Sequence, residues 1–168
     1  NLVRIFKLQD RMKGLGAGDM AIRHVHVVGA GVMGGDIAAW CALKGLTVTL
    51  QDLDHARIAP AIKRAAEMYR KRLKLPHLVQ AAMDRLIPDV NGDGARHCDL
   101  VIEAIVENAE IKKKLYAQLE PKLKPSAILA SNTSSIPLQE LSQGLAQPSR
   151  LVGIHFFNPV AQMMLVEV

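Results

Sequence analysis

Aromatic residues are scarce in this chain: three Phe, two Tyr and one Trp make up 4% of 168 residues. None of them interleaves with the basic residues, so the base-stacking platform that single-stranded nucleic acid needs is missing. That removes the simplest reading of a formal charge of +5 and favours a small phosphate-bearing ligand over nucleic acid. Cysteine is limited to Cys41 and Cys98, which show no metal-ligand spacing and read as buried thiols in a reducing compartment. No hydrophobic run is long enough to cross a bilayer as a helix. No signal peptide is visible, but the chain begins at Asn1 rather than methionine, so that carries no weight. Apolar residues are plentiful. A hydrophobic share of 49% suits one packed domain and excludes a disordered chain.

The organising stretch is Val25 to Ile37, V-H-V-V-G-A-G-V-M-G-G-D-I. An apolar, β-branched run ends in Gly29, Gly31 and Gly34, and a helix-like run follows. This is the G-x-G-x-x-G pattern in its required setting of strand, tight turn and helix. The first glycine permits the turn, the second lets backbone approach a pyrophosphate, and the third lets helix pack on strand. Val32 and Met33 complete the cofactor-binding loop, where free helix N–H groups would meet an anion. A second strand, Thr47 to Asp52, ends in an acid roughly 20 residues beyond the glycines, where a ribose hydroxyl needs an acceptor. Alone, Asp52 fits a strand-end or helix-capping acid equally well. Behind these glycines it points to a dinucleotide, and to NAD over NADP, whose extra phosphate it would repel.

Before this unit, Leu2, Ile5, Phe6, Leu8 and Met12 form a helical apolar stripe. Residues 1–22 therefore read as a linker helix from a preceding domain, or as a helix folded back on this one. Residues 23–168 alternate strand and helix. The first helix runs to about Lys44, capped by Gly45. After strand two comes a helical excursion, about Asp54 to Lys74 and then Leu78 to Leu86. Its charge run of Lys63, Arg64, Arg70, Lys71, Arg72 and Lys74 is either a solvated face or a site for the phosphates of a bulky substrate. Asp89 to Gly94 opens like a calcium loop, but Leu100 stands where a bidentate Glu is needed. It reads as a turn, and no metal is expected. Further strands are expected at Leu100 to Ile105, Ala127 to Ala130, Leu151 to His155 and Met164 to Val168, with helices at Asn108 to Leu123 and after Pro137. Asn132-Thr-Ser134 matches a glycosylation acceptor with nothing else to suggest secretion.

The implied fold class is α/β, a Rossmann-type, doubly wound, mostly parallel sheet with helices on both faces and a helical excursion after strand two. Asp52, Glu107, Ser134 and His155 each lie at or just after a strand's end, so they should converge on one rim. His155, with Glu167 in the next strand, is the machinery of alcohol oxidation beside a nicotinamide: the base takes the proton and the cofactor takes the hydride. A buried carboxylate would orient the imidazole. By spacing alone, a satisfied structural histidine is the better reading.

Four stretches in order decide between these readings: Gly29 to Gly35, Val101 to Asn108, Ala130 to Ser135 and Gly153 to Pro159. From about Arg23 to Val168 the chain resembles the NAD-binding domain of the L-3-hydroxyacyl-CoA dehydrogenases of fatty-acid β-oxidation. Phe6 to Arg11 resembles the multifunctional α-subunits, in which an enoyl-CoA hydratase domain comes first. The resemblance implies oxidation of L-3-hydroxyacyl-CoA to 3-oxoacyl-CoA, with His155 as base and Glu167 as its orienting partner. It implies that Ser134 and Asn158 hydrogen-bond the substrate oxygen or the nicotinamide side. Glu107 and Lys112 would lie along the cofactor, Asp52 would bind the adenosine ribose, and the basic helix would face CoA. It further implies a cytoplasmic enzyme with flanking hydratase and C-terminal dehydrogenase domains, a thiolase subunit as partner, and a homodimer. The chain departs from the family where it stops, at Val168, before the C-terminal helical domain, and Met164 stands where some members carry lysine. The fragment alone is therefore expected to bind NAD and to turn over poorly. The alternatives are a stand-alone 3-hydroxybutyryl-CoA dehydrogenase and a non-catalytic NAD-binding module of a β-oxidation complex.

Calorimetric titration should show NADH bound more tightly than NADPH, and Asp52→Ala should weaken NADH by roughly tenfold or more. Equal affinities in wild type, or an indifferent Asp52→Ala, would contradict the assignment of Asp52.

Overall fold

The computed structural model describes residues 21–163 and 166–168. The helix expected over 1–22 lies almost entirely outside the described residues, as do Met164 and Leu165. Six strands form a sheet with every pairing parallel: β1 (His24–Val28), β2 (Thr47–Gln51), β3 (Leu86–Pro88), β4 (Leu100–Glu103), β5 (Ile128–Ser131) and β6 (Leu151–Gly153). The spatial order is β3-β2-β1-β4-β5-β6. This is the doubly wound arrangement, with the switch point between β1 and β4 where such sheets bind ligands. The central strands are buried on both faces, hence their near-continuous apolar runs.

One face is covered by α1 (Val32–Leu43), α2 (His55–Leu73) and α3 (Pro76–Asp84), packed over Val25, Val27, Val48, Leu50 and Ile102. Asp54 caps α2 by accepting the Arg57 amide at 2.9 Å. The helix then buries Ile58, Ala61, Ala65 and Tyr69, a stripe at helical spacing that leaves the basic residues outside. Tyr69 Oη donates to the Ala39 carbonyl at 2.8 Å and locks α2 onto α1. The other face is covered by α4 (Ala109–Leu119), α5 (Leu138–Leu141) and the connection from β3 to β4, over Val28, Val101 and Leu129.

Several expected boundaries move, two of them with consequences for the topology. The helix expected to reach Leu86 stops at Asp84, and Leu86–Pro88 becomes the edge strand β3. Pro88 is tolerated there because one side of an edge strand has no partner to donate to. The strand expected over Leu151 to His155 breaks at Ile154. Only Leu151–Gly153 joins the sheet, and β7 (His155–Phe156) pairs antiparallel with β8 (Val166–Glu167).

The β3–β4 connection crosses the sheet without an α-helix. A Cβ on Gly94 would collide with the Thr49 side chain, so the chain lies directly on the strands. Asp89 holds this loop by accepting the amides of Asp93 and Gly94 at 3.1 and 2.7 Å, which is the turn expected from the calcium-like sequence. Beneath it, His26 is fully buried. Its Nδ1 lies 2.8 Å from Thr49 Oγ1 and its Nε2 lies 2.9 Å from Gln51 Oε1. Burial lowers the His26 pKa below its ordinary 6.5, against the opposing pull of Gln51 and Asp89. Both thiols are also pushed up by burial, to about 11, which leaves them inert at neutral pH.

The folded chain binds a proton at His26 less readily than the unfolded chain, which protonates it near pH 6.5. The unfolded state then binds the extra proton, so stability falls as pH drops through that value. Urea denaturation at about pH 7.5 and about pH 5.5 should show the lower pH less stable, and His26→Asn should reduce the difference. An unchanged difference in that variant would assign the effect to other groups.

Candidate active site

The cofactor side of the rim is built by missing side chains. Gly29 has φ +105°, and a Cβ there would lie 2.5 Å from the Ala104 carbonyl oxygen. A Cβ on Gly34 would collide with the Gly29 carbonyl, so α1 can begin only over glycine. At Gly31 a Cβ would meet nothing within 4 Å: the turn presents bare backbone to open space. Gly31 is the N-cap of α1 and provides no side-chain cap, so the first-turn N–H groups, those of Val32 and Met33 among them, remain available. Asp52 closes the turn from β2. One carboxylate oxygen accepts the Ala30 amide at 2.8 Å and the other the Leu53 amide at 2.7 Å, which leaves lone pairs for a ribose hydroxyl. These features fit NAD: an uncapped helix end for its pyrophosphate and a carboxylate for its ribose.

The other half of the rim is charged and buried. Glu103, at the end of β4, is 0% exposed and accepts four hydrogen bonds: from Lys112 Nζ, Tyr116 Oη and Ser131 Oγ at 2.7 Å and from the Ile105 amide at 2.8 Å. Burial, with Glu103 adjacent, pushes the Tyr116 hydroxyl far up, so it remains a donor. Lys112 is 1% exposed and also pairs with Glu107 at 3.2 Å. Partial burial would raise the Glu107 carboxyl, but bonds from Thr133 and Lys112 outweigh it and hold it at about 2. Glu107 also accepts the amides of Ser134 and Ser135, at 3.1 and 3.2 Å, and so shapes the turn that carries Ser134. Lys112, expected along the cofactor, is instead buried beneath Glu107 and acts on the rim through it.

His155 comes next. The amide of Phe156 donates to Asn132 Oδ1 at 2.9 Å, which fixes β7 to the Ser131–Ser135 turn. In the β7–β8 register His155 stands opposite Glu167, with Nδ1 3.2 Å from Oε2. Glu167, expected as a buried carboxylate, has a side chain 62% exposed, and that of His155 is 32% exposed. The pairing survives the exposure because the ribbon register, not a cavity, makes it. Phe157 packs against the imidazole with ring centroids 4.7 Å apart. Asn158, three residues after His155, and Ser134, in the turn that Asn132 ties to β7, are exposed.

The structure thus strings Asp52, Gly29–Gly34, Glu107, Ser134 and His155 along the carboxyl ends of the strands. Glu103 and Asn132 escaped the sequence reading. A carboxylate inside the apolar run Leu-Val-Ile-Glu was the available signal for Glu103, since such a group must be paired. Asn132 was masked by its glycosylation pattern. A groove of about 530 Å³ runs along α2, lined by His55, Ile58, Ile62, Lys63, Arg70 and Pro88 among others.

Residues 24–168 match the family described as the NAD-binding domain of 3-hydroxyacyl-CoA dehydrogenase. The chain belongs to this family. As a 3-hydroxyacyl-CoA dehydrogenase NAD-binding domain it is similar to several solved structures. With the (S)-3-hydroxybutyryl-CoA dehydrogenase of Ralstonia eutropha it shares 37% identity at a TM-score of 0.80, over 87% of this chain and 53% of that one. With the 3-hydroxybutyryl-CoA dehydrogenase of Escherichia coli the values are 36% and 0.81, over 88% and 32%. With the dehydrogenase part of a multifunctional enzyme of C. elegans they are 31% and 0.78, over 88% and 34%. The chain thus spans between about a third and about half of the length of these relatives.

Removing one member of a buried ion pair strands the other. Lys112→Met should therefore cost about 3–5 kcal/mol in urea denaturation, and adding Glu103→Gln should recover part of that loss. A cost below about 1 kcal/mol for Lys112→Met would show that Glu103 does not depend on it.

Proposed function

We propose that this domain carries the cofactor and the base in the NAD-dependent oxidation of L-3-hydroxyacyl-CoA to 3-oxoacyl-CoA in fatty-acid β-oxidation. The observation that carries the reading is the His155–Glu167 pair, held at 3.2 Å on the rim that also presents the uncapped glycine turn. With Nδ1–H donating to Glu167, His155 is left with an Nε2 lone pair to accept the 3-hydroxyl proton. Glu167 then stabilises the imidazolium that results. In the reverse direction the imidazolium returns the proton to the forming alkoxide. Bound NAD would supply the hydride acceptor for C3. Ser134 and Asn158 are exposed donors on the same rim, suited to the substrate oxygen or the nicotinamide side. The groove on α2, with Lys63 and Arg70 in its wall, suits the phosphates of CoA.

The likeness to the dehydrogenase part of a multifunctional enzyme supports a parent with further domains; a hydratase domain before this one, a C-terminal dehydrogenase domain after it and a thiolase partner belong to the same proposal. The second reading is a stand-alone 3-hydroxybutyryl-CoA dehydrogenase, favoured by the higher identities, 36% and 37%, to enzymes of that name.

In the full-length protein, His155→Ala should lower kcat for acetoacetyl-CoA reduction by roughly 10²–10⁴-fold while NADH affinity stays within about twofold. Glu167→Gln should fall between His155→Ala and wild type. Undiminished turnover by His155→Ala would exclude it as the base.

A further inference from the structure

In the charge run on α2, Arg64 reaches across to the glycine turn. Arg64 Nη2 donates to the Gly31 carbonyl at 3.1 Å and its Nε donates to Asp36 Oδ1 at 3.3 Å. Its side chain is 38% exposed, and Lys63, Arg70, Lys71 and Lys74 around it point outward. The space it uses exists because residue 35 is glycine. A Cβ there would lie 2.9 Å from Arg64 Nη2 and 2.7 Å from Ala61 Cβ. So the glycine following the G-x-G-x-x-G pattern, which that pattern does not require, is where α2 closes on α1 and the guanidinium threads across to the turn. The residue it reaches is the second glycine, the one whose missing Cβ opens onto free space and whose helix end has no side-chain cap.

We propose that Arg64 is a cofactor-positioning residue: it fixes the carbonyl of the second glycine and places its positive charge beside the pyrophosphate site. The helical excursion, which otherwise faces the substrate groove, thereby takes part in holding NAD. Asp36 orients the guanidinium through Nε and leaves Nη2 for the turn. A fixed cation at a dianionic group lowers the cost of bringing its charge to the protein and adds to the pull of the helix end. The inference rests on reading the glycine turn as the phosphate site, and the two can fail separately.

The test is calorimetric titration of NADH into wild type, Arg64→Gln and Arg64→Lys across a series of salt concentrations. Arg64→Gln should bind NADH roughly tenfold more weakly, with a shallower salt dependence, because one screened charge has been removed. Arg64→Lys should keep the wild-type salt dependence and lose only part of the affinity, since charge persists while the paired Nε and Nη2 bonds do not. The Lys variant also keeps the test sound should Arg64→Gln fold poorly. Wild-type affinity in Arg64→Gln would overturn the proposal, and so would weaker binding at an unchanged salt dependence, which would leave only an effect on loop shape. No NADH binding by wild type would overturn the phosphate-site reading as well.

Discussion

The half of the rim that carries Glu107, Ser134 and His155 depends on a carboxylate that never meets water. Glu103 ends β4 with every acceptor direction in use, by donors from α4, from the loop after β4 and from the end of β5. Through Lys112 it sets Glu107, and through Glu107 it sets the turn bearing Ser134. Through Ser131 it anchors the start of that turn, one residue before the Asn132 that fixes the strand of His155. Desolvating such a pair costs several kcal/mol per ion before any return, so stability alone is a poor explanation for it. Its effect is geometric: one buried point from which three loops take their position.

The cofactor half follows the opposite rule. There, position is set by what is absent, because backbone meets backbone at Gly29, Gly34 and Ala104 where a single methyl would intrude. Asp52 then serves twice, closing the turn through the Ala30 amide while remaining open to a ribose. The two halves touch where Gly29 meets Ala104, next to Glu103. The switch point of the sheet is therefore also the junction of a rigid polar network with a rigid bare backbone. A dinucleotide laid across it would meet preset partners at both ends, which is how binding avoids the cost of ordering loops.

Most of the architecture was legible because strong periodicities and glycine punctuation agree with each other. Val25–Val28, Thr47–Gln51 and Leu100–Glu103 announce buried parallel strands, and the glycines between the first strand and its helix have only one geometry in which to sit. What was not legible depended on contacts distant in sequence. Nothing local stops α3 at Asp84; the pairing of Leu86–Pro88 with β2 does so. Nothing local breaks the last strand at Ile154; the alternative partner at Val166–Glu167 does so. The burial of Lys112 and the exposure of Glu167 were inverted for the same reason, since charge pattern on one segment does not reveal which neighbour covers it. Arg64 shows the limit most plainly, because in sequence it is one basic residue among six.

The ribbon that carries His155 consists of two strands of two residues each, outside the main sheet. A lone two-stranded ribbon has little stability of its own in water. Its order is borrowed: from Asn132 at one end, and from Arg72, whose guanidinium stacks on Trp40 at 4.9 Å and donates to the Ala161 carbonyl at 2.7 Å. His155 is thus mounted on the least self-sufficient piece of the domain, between a fixed polar turn and α2. A shift of α2 would therefore reach the imidazole through the Arg72–Ala161 contact.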